Sequence, residues 1–171
     1  MHITAKVDYA VRTLLEIARA PRLNQAPIGL GPVAQAAPVV KADAIATAQR
    51  IPPKVLETVL GDLRRADLVI SRRGPDGGYW LARPAAEISI ADVIRAIEGP
   101  LASVRGERPE DVTYPGAAES LQRVWIALRV NIRAVLENVS IDDVADNRLP
   151  EFVDALTNDP GAWARRERPS N

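Results

Sequence analysis

Apolar positions along this chain fall into helical blocks separated by short extended or broken stretches. Thr4 to Ala20 opens with a threonine suited to an N-cap and continues with Val7, Ala10, Val11, Leu14 and Ala18 at helical spacing. Pro21 to Val40 has no period, and its prolines at 21, 27, 32 and 38 block a long helix, so it reads as a loop. Lys41 to Gln49 reads as a short helix with Ile45 inward, stopped by Arg50-Ile51-Pro52-Pro53. A proline at a first helical turn has no intrahelical N–H to lose, so Pro53 can open the next helix, which runs to Asp67. Leu56, Val59, Leu60 and Leu63 form its inner stripe, leaving Lys54, Glu57, Thr58, Gly61 and Arg65 outward. Gly61 is either a tolerated defect costing about 1 kcal/mol or a point of close backbone approach.

Leu68 to Ser71 then reads as a strand and Tyr79 to Ala82 as its return, joined by Arg72-Arg73-Gly74-Pro75-Asp76-Gly77-Gly78, whose glycines can take positive φ. Ser89 to Glu98 is a further helix, with Ile90, Val93, Ile94 and Ile97 inward and Gly99-Pro100 as its stop. Residues 105–116 form a polar loop. Leu121, Trp125, Leu128, Ile132, Val135 and Val139 step by 4, 3, 4, 3 and 4, a stripe that predicts a long helix over about 117–139. A shorter helix begins at Ser140 or Asp142, and residues from Asn158 onward read as a loose tail.

Composition narrows the functional classes. The 171 residues suit one ordinary domain or a small domain with an appendage. No apolar run approaches a membrane span, and the N-terminus lacks an apolar signal core, so a cytoplasmic protein without membrane contact is expected. With no cysteine, disulfides, thiolate nucleophiles and cysteine-held clusters are excluded, and His2 is the lone imidazole. No convergent nucleophile, base or phosphate loop marks an enzyme. The zero net charge conceals a split: residues 1–83 carry 12 Lys+Arg against 7 Asp+Glu, residues 84–171 carry 10 against 15. A basic front with an acidic back fits nucleic acid, although ordinary solvated faces produce the same split.

The order helix, short helix, tight turn, helix, arginine-tipped hairpin is that of a winged helix-turn-helix. A helix fits the major groove, and a thin hairpin can carry arginine into the minor groove. The alternative is a protein-interaction module that keeps the winged fold without binding DNA.

The residues also resemble a known family, the IscR/NsrR/CymR-like bacterial regulators (the Rrf-two family). Ile3-Thr4-Ala5-Lys6-Val7-Asp8-Tyr9-Ala10-Val11 is similar to its first helix, and Ile51 to Val69 to its recognition helix. Arg72 to Tyr79 resembles its wing, and Ile88 to Ile94 with Glu98-Gly99-Pro100 the helix beyond. Asn138 to Val144 resembles the end of its dimer helix.

The resemblance implies a mainly α fold with a small hairpin wing: a winged helix-turn-helix domain over 1–83 with an insertion at 21–39, a dimerisation region over 84–157, and a flexible tail over 158–171. It implies a homodimer on a pseudo-palindromic operator in double-stranded DNA, acting as a repressor because a dimer over a promoter blocks polymerase most simply. Lys54, Glu57 and Thr58 fall where members face bases, and Arg73, beside Arg72, where the wing enters the minor groove. Lys6 and Tyr9 lie near the phosphate-facing region. The stripe Leu121, Trp125, Leu128, Ile132, Val135 and Val139 would form the dimer interface.

Three departures matter. The connection at 21–39 is about a dozen residues longer than the family's usual one. Pro52 stands where a capping serine is common. The loop after Gly99-Pro100, where many members place three cysteines, has none, and Asp8, a cluster-ligand position in some members, becomes an ordinary solvated or salt-bridged acid. The expectation is therefore no metal and no cofactor, with control by a small ligand or a partner protein.

Overall fold

A computed structural model describes residues 2–20 and 39–164. Seven α-helices and one two-stranded sheet follow one another among them: α1 (Ala5–Arg19), α2 (Ala42–Gln49), α3 (Pro53–Arg65), β1 (Val69–Arg72), β2 (Gly78–Leu81), α4 (Ile90–Glu98), α5 (Leu121–Leu136), α6 (Ile141–Ala145) and α7 (Glu151–Thr157). Except at Val39 and Val40, the expected loop before α2 lies outside the described residues, as does the tail beyond Ala164.

Local chemistry fixes most boundaries. Thr4 caps α1 by accepting the Val7 N–H, and its hydroxyl donates to Glu98 at the far end of α4. Arg50 takes the left-handed conformation at φ 52° and ends α2, after which Pro52 and Pro53 start α3. Ser89 caps α4 and Ser140 caps α6, each in a reciprocal capping box with the aspartate three residues on.

Among the described residues, most buried apolar side chains gather in one hydrophobic core. Ala10, Leu14 and Ile17 of α1 meet Ile45 of α2, the Leu56, Val59, Leu60 and Leu63 stripe of α3, Leu68 and Val69 at the hairpin, and Ile88, Val93 and Ile141. The core thus continues past residue 83, the boundary expected between the DNA-binding and dimerisation regions. Two antiparallel bonds, Ile90 N–H to the Val139 carbonyl (2.9 Å) and Ile141 N–H to the Ile88 carbonyl (2.8 Å), join the starts of α4 and α6. Among the described residues a Cβ at Gly61 would meet nothing within 4 Å, so none of them approaches that glycine closely.

The long helix differs from its expected span. Gly116–Ala118 is a separate 3-10 turn, α5 starts at Leu121, and it stops at Leu136. Val139 lies beyond that stop, where its carbonyl is bound to Ile90 and its side chain is buried in the chain's own core. It therefore leaves the stripe proposed for the dimer interface. The first residues of the expected tail are turns that fold back, with the Trp163 indole N–H donating to the Thr157 carbonyl at 2.6 Å.

Candidate nucleic-acid interface

Helices α2 and α3 form the helix-turn-helix, and the hairpin after α3 forms the wing. The amphipathic spacing that buries Leu56, Val59, Leu60 and Leu63 leaves Lys54, Glu57 and Thr58 exposed on the opposite face. At relative positions i, i+3 and i+4 they share one helix surface. The Thr58 hydroxyl donates to the Lys54 carbonyl at 3.1 Å, while the Lys54 ammonium and Glu57 carboxylate extend outward without a partner among the described residues.

The wing is pinned where it leaves the core. In β1 and β2, Val69 pairs with Leu81, Ile70 with Trp80, Ser71 with Tyr79 and Arg72 with Gly78. A third segment joins them, for Val40 and Tyr79 exchange N–H···O bonds of 2.9 Å in both directions. The loop reading of residues up to Val40 missed this bridge; the β-branched pair Val39-Val40 was the available signal. Two glycines make the hairpin possible. A Cβ at Gly77 would sit 2.1 Å from the Arg72 carbonyl oxygen, and one at Gly78 would sit 2.7 Å from that of Val40.

At the tip the two arginines divide. Arg72 turns back and donates to the Asp76 carbonyl at 2.9 Å. Arg73 is exposed and makes no hydrogen bond or ion pair among the described residues.

Lys6 and Tyr9 are more engaged. The Lys6 ammonium lies 2.5 Å from the carboxylate of Asp62, a buried acid at the margin of the α3 stripe that also pairs with Arg65. Tyr9 is half-buried against the core, and the Arg12 guanidinium lies 5.5 Å from its ring centre. Arg12 also donates to the side chain and carbonyl of Gln49 and pairs with Asp8 at 3.1 Å, which latches α1 to the end of α2. Asp8 is thus the exposed, salt-bridged acid expected. Neither the Asp62 pair nor the Arg12 latch emerged from periodicity, which registers apolar spacing and is silent about charge pairing.

The remaining stripe residues lie on α5. This helix contributes no buried residue; Val124 and Leu128 are 54% and 46% exposed, while Leu121, Trp125, Ile132 and Val135 are half-buried. Polar contacts tie it to the preceding loop, one of them through Trp125 of the stripe itself. The Trp125 indole N–H donates to the Tyr114 hydroxyl at 3.0 Å, Gln122 donates to the Glu110 carbonyl at 3.0 Å, and Arg129 pairs with the Glu110 carboxylate. Those contacts hold the Glu110 carboxyl below its usual range, the backbone bond contributing most and the Arg129 bond next.

A helix-turn-helix followed by an arginine-tipped hairpin defines a winged-helix transcriptional regulator. The Rrf2 family profile, described as iron-dependent transcriptional regulators, matches residues 3–147, and the chain belongs to that family. It is 46% identical over 159 residues to Rv1287 of Mycobacterium tuberculosis (strain ATCC 25618 / H37Rv), named as an HTH-type transcriptional regulator, covering 93% of this chain and 90% of that one. It is 32% identical over 161 residues to the regulator IscR of Sodalis glossinidius, covering 93% and 88% respectively. Among solved structures, CymR of B. subtilis, described as its global cysteine regulator, matches with a TM-score of 0.63 at 28% identity, over 86% of this chain and 98% of that one. These relatives are named as regulators, not enzymes.

The family description raises the question of iron. The donor set here does not fit an iron–sulfur cluster, because the whole sequence contains no cysteine to supply thiolates. In the loop after Pro100 the candidate donors are Glu107, Glu110 and Asp111, hard oxygens of which Glu110 is already tied to Arg129. Among the described residues no three His, Cys, Asp or Glu side chains gather as a metal site, and no helix is long and apolar enough to cross a membrane.

Proposed function

We propose that the chain acts as a homodimer on a two-fold operator, with α3 in the major groove and the wing in the minor groove, and that it represses by occupying a promoter. The observation that carries this reading is Arg73, an exposed and uncommitted guanidinium in a hairpin turn that the Val40 bridge to Tyr79 anchors from outside and the close approach at Gly77 tightens from within. A pre-positioned cation loses little entropy on entering a narrow groove, where the negative potential is enhanced. Lys54, Glu57 and Thr58 face bases, Glu57 accepting from cytosine or repelling bases that offer only acceptors. Arg72 shapes the tip, and Lys6 and Tyr9 support the backbone-facing end of α1.

The dimer follows from α5. A helix with no buried residue and with Val124, Leu128, Leu121 and Ile132 along one side is covered best by a second copy, whose two-fold axis matches a pseudo-palindromic site. Such a regulator works in the cytoplasm, and a small ligand or partner protein sets its activity. Selection of bound fragments from a random duplex pool tests the reading. The expected product is a two-fold-symmetric sequence with half-sites one helical turn or a multiple apart, bound more weakly as salt rises. Recovery of no preferred sequence would contradict it.

A further inference from the structure

Four arginines from three parts of the chain surround one cavity of about 520 Å³. Arg95 comes from α4, Arg108 from the loop that follows it, and Arg129 and Arg133 from α5; Gly99, Pro100, Leu101, Ala102 and Glu110 complete the wall. The cavity is an open cleft rather than an enclosed pocket, with room for a small molecule against its arginines. Like charges gathered this closely repel, and the local carboxylates offset them only in part. Glu110 pairs with Arg129, and Glu137 pairs with both Arg95 and Arg133. Asp92 is shared between Arg95 and Arg83, which lies outside the cavity. Arg108 forms no ion pair among the described residues.

Two details point to an oxyanion. Arg95 and Arg133 converge on a single carboxylate oxygen of Glu137, Arg133 through Nε at 2.9 Å, so this cluster already grips a carboxylate. Arg129 has a buried Nε–H with no acceptor among the described residues, a donor whose desolvation is not repaid by the chain.

We propose that this cavity binds a small organic anion with at least two oxyanion groups, carboxylate or phosphate, held by Arg108 and Arg129 and bordered by Arg95 and Arg133. This deepens the effector part of the functional reading. Arg129 follows Leu128 by one helical step of about 100°, so the anion site and the apolar dimer face share α5 without overlapping. The ligand bridges α4, which belongs to the winged-helix core, to α5, which carries the dimer face. It would thereby set the angle between the two.

The test titrates citrate and, separately, pyrophosphate into the full chain at constant ionic strength, without DNA, following Tm and tryptophan fluorescence. At least one probe should give a saturable rise in Tm, about 5–10 °C at a hundredfold excess over Kd. Arg108→Gln, at a position with no ion pair to lose, should weaken binding at least tenfold. Arg123→Gln, an exposed arginine outside the cavity, should not change it. A response to citrate alone assigns the site to carboxylates, to pyrophosphate alone to phosphates, and to both to oxyanions generally. No saturable shift with either probe, or a shift that Arg108→Gln retains in full, would overturn the proposal. Because DNA is absent, failure here leaves the operator reading standing, and failure of operator binding leaves this one standing.

Discussion

Ser89 and Ser140 face each other as an antiparallel bridge, and each is the N-cap of its own helix. The flanking sequences, Ile88-Ser89-Ile90-Ala91-Asp92-Val93 and Val139-Ser140-Ile141-Asp142-Asp143-Val144, nearly repeat one another. Ile88, Val93 and Ile141 bury their side chains while the two serines and their aspartates satisfy the helix ends. The α5 connection is thereby returned to the core at a fixed point.

The capping box on α6 predicts a pH dependence. Asp143 is held below the usual carboxylate range, first by the Ser140 hydroxyl and then by the Ser140 backbone N–H. Its contribution is therefore present above the unfolded aspartate value of about 3.9 and is lost as pH falls through the lower folded value. Ser140→Ala should cost about 1 kcal/mol at pH 7. Asp143→Asn should also lower Tm at pH 7, and the gap from wild type should close below about pH 4. A gap constant down to pH 2 would contradict the assignment.

How much of this was legible in sequence depends on the interaction involved. The α3 stripe was readable because Leu56, Val59, Leu60 and Leu63 are close in sequence and all face one core. The wing was readable because Arg72-Arg73-Gly74 and Gly77-Gly78 form one local motif. The stripe on α5 was extended too far, to Val139, because an apolar residue in register looks the same whether its backbone continues the helix or turns into a bridge. The arginine cavity had no local signature, as Arg95, Arg108, Arg129 and Arg133 are brought together only by tertiary packing.

The hairpin glycines predict a graded response. Gly77→Ala places a methyl group within overlap distance of the Arg72 carbonyl, so the turn must open. It should weaken operator binding while the helical circular dichroism remains near wild type. Gly61→Ala, in a helix with open space around it, should instead stabilise the protein, by up to about 1 kcal/mol. Unchanged DNA affinity in Gly77→Ala would show that wing geometry is not required.

Membership of a family described as iron-dependent makes the missing thiolates testable. Anaerobic incubation with iron and sulfide should leave this protein colourless and its DNA affinity unchanged. Stoichiometric protein-bound iron and sulfide would contradict the donor argument.

For assembly, glutamate at both Leu128 and Ile132 should convert the proposed dimer to a weakly DNA-binding monomer, read as native mass by light scattering. Both side chains lie on α5 and neither is buried in the single chain, so the winged-helix core should survive. A native-sized dimer from that variant would rule out this face as the interface.

The central claim is that Arg73 takes the wing into DNA, and operator affinity of Arg73→Ala against wild type tests it most directly. With an operator fragment from the duplex selection, the account predicts a loss of about 1–3 kcal/mol for Arg73→Ala, a smaller loss for Lys54→Ala, and a steep fall of wild-type affinity with salt. A folded, dimeric Arg73→Ala protein that binds the same fragment at wild-type affinity would contradict it.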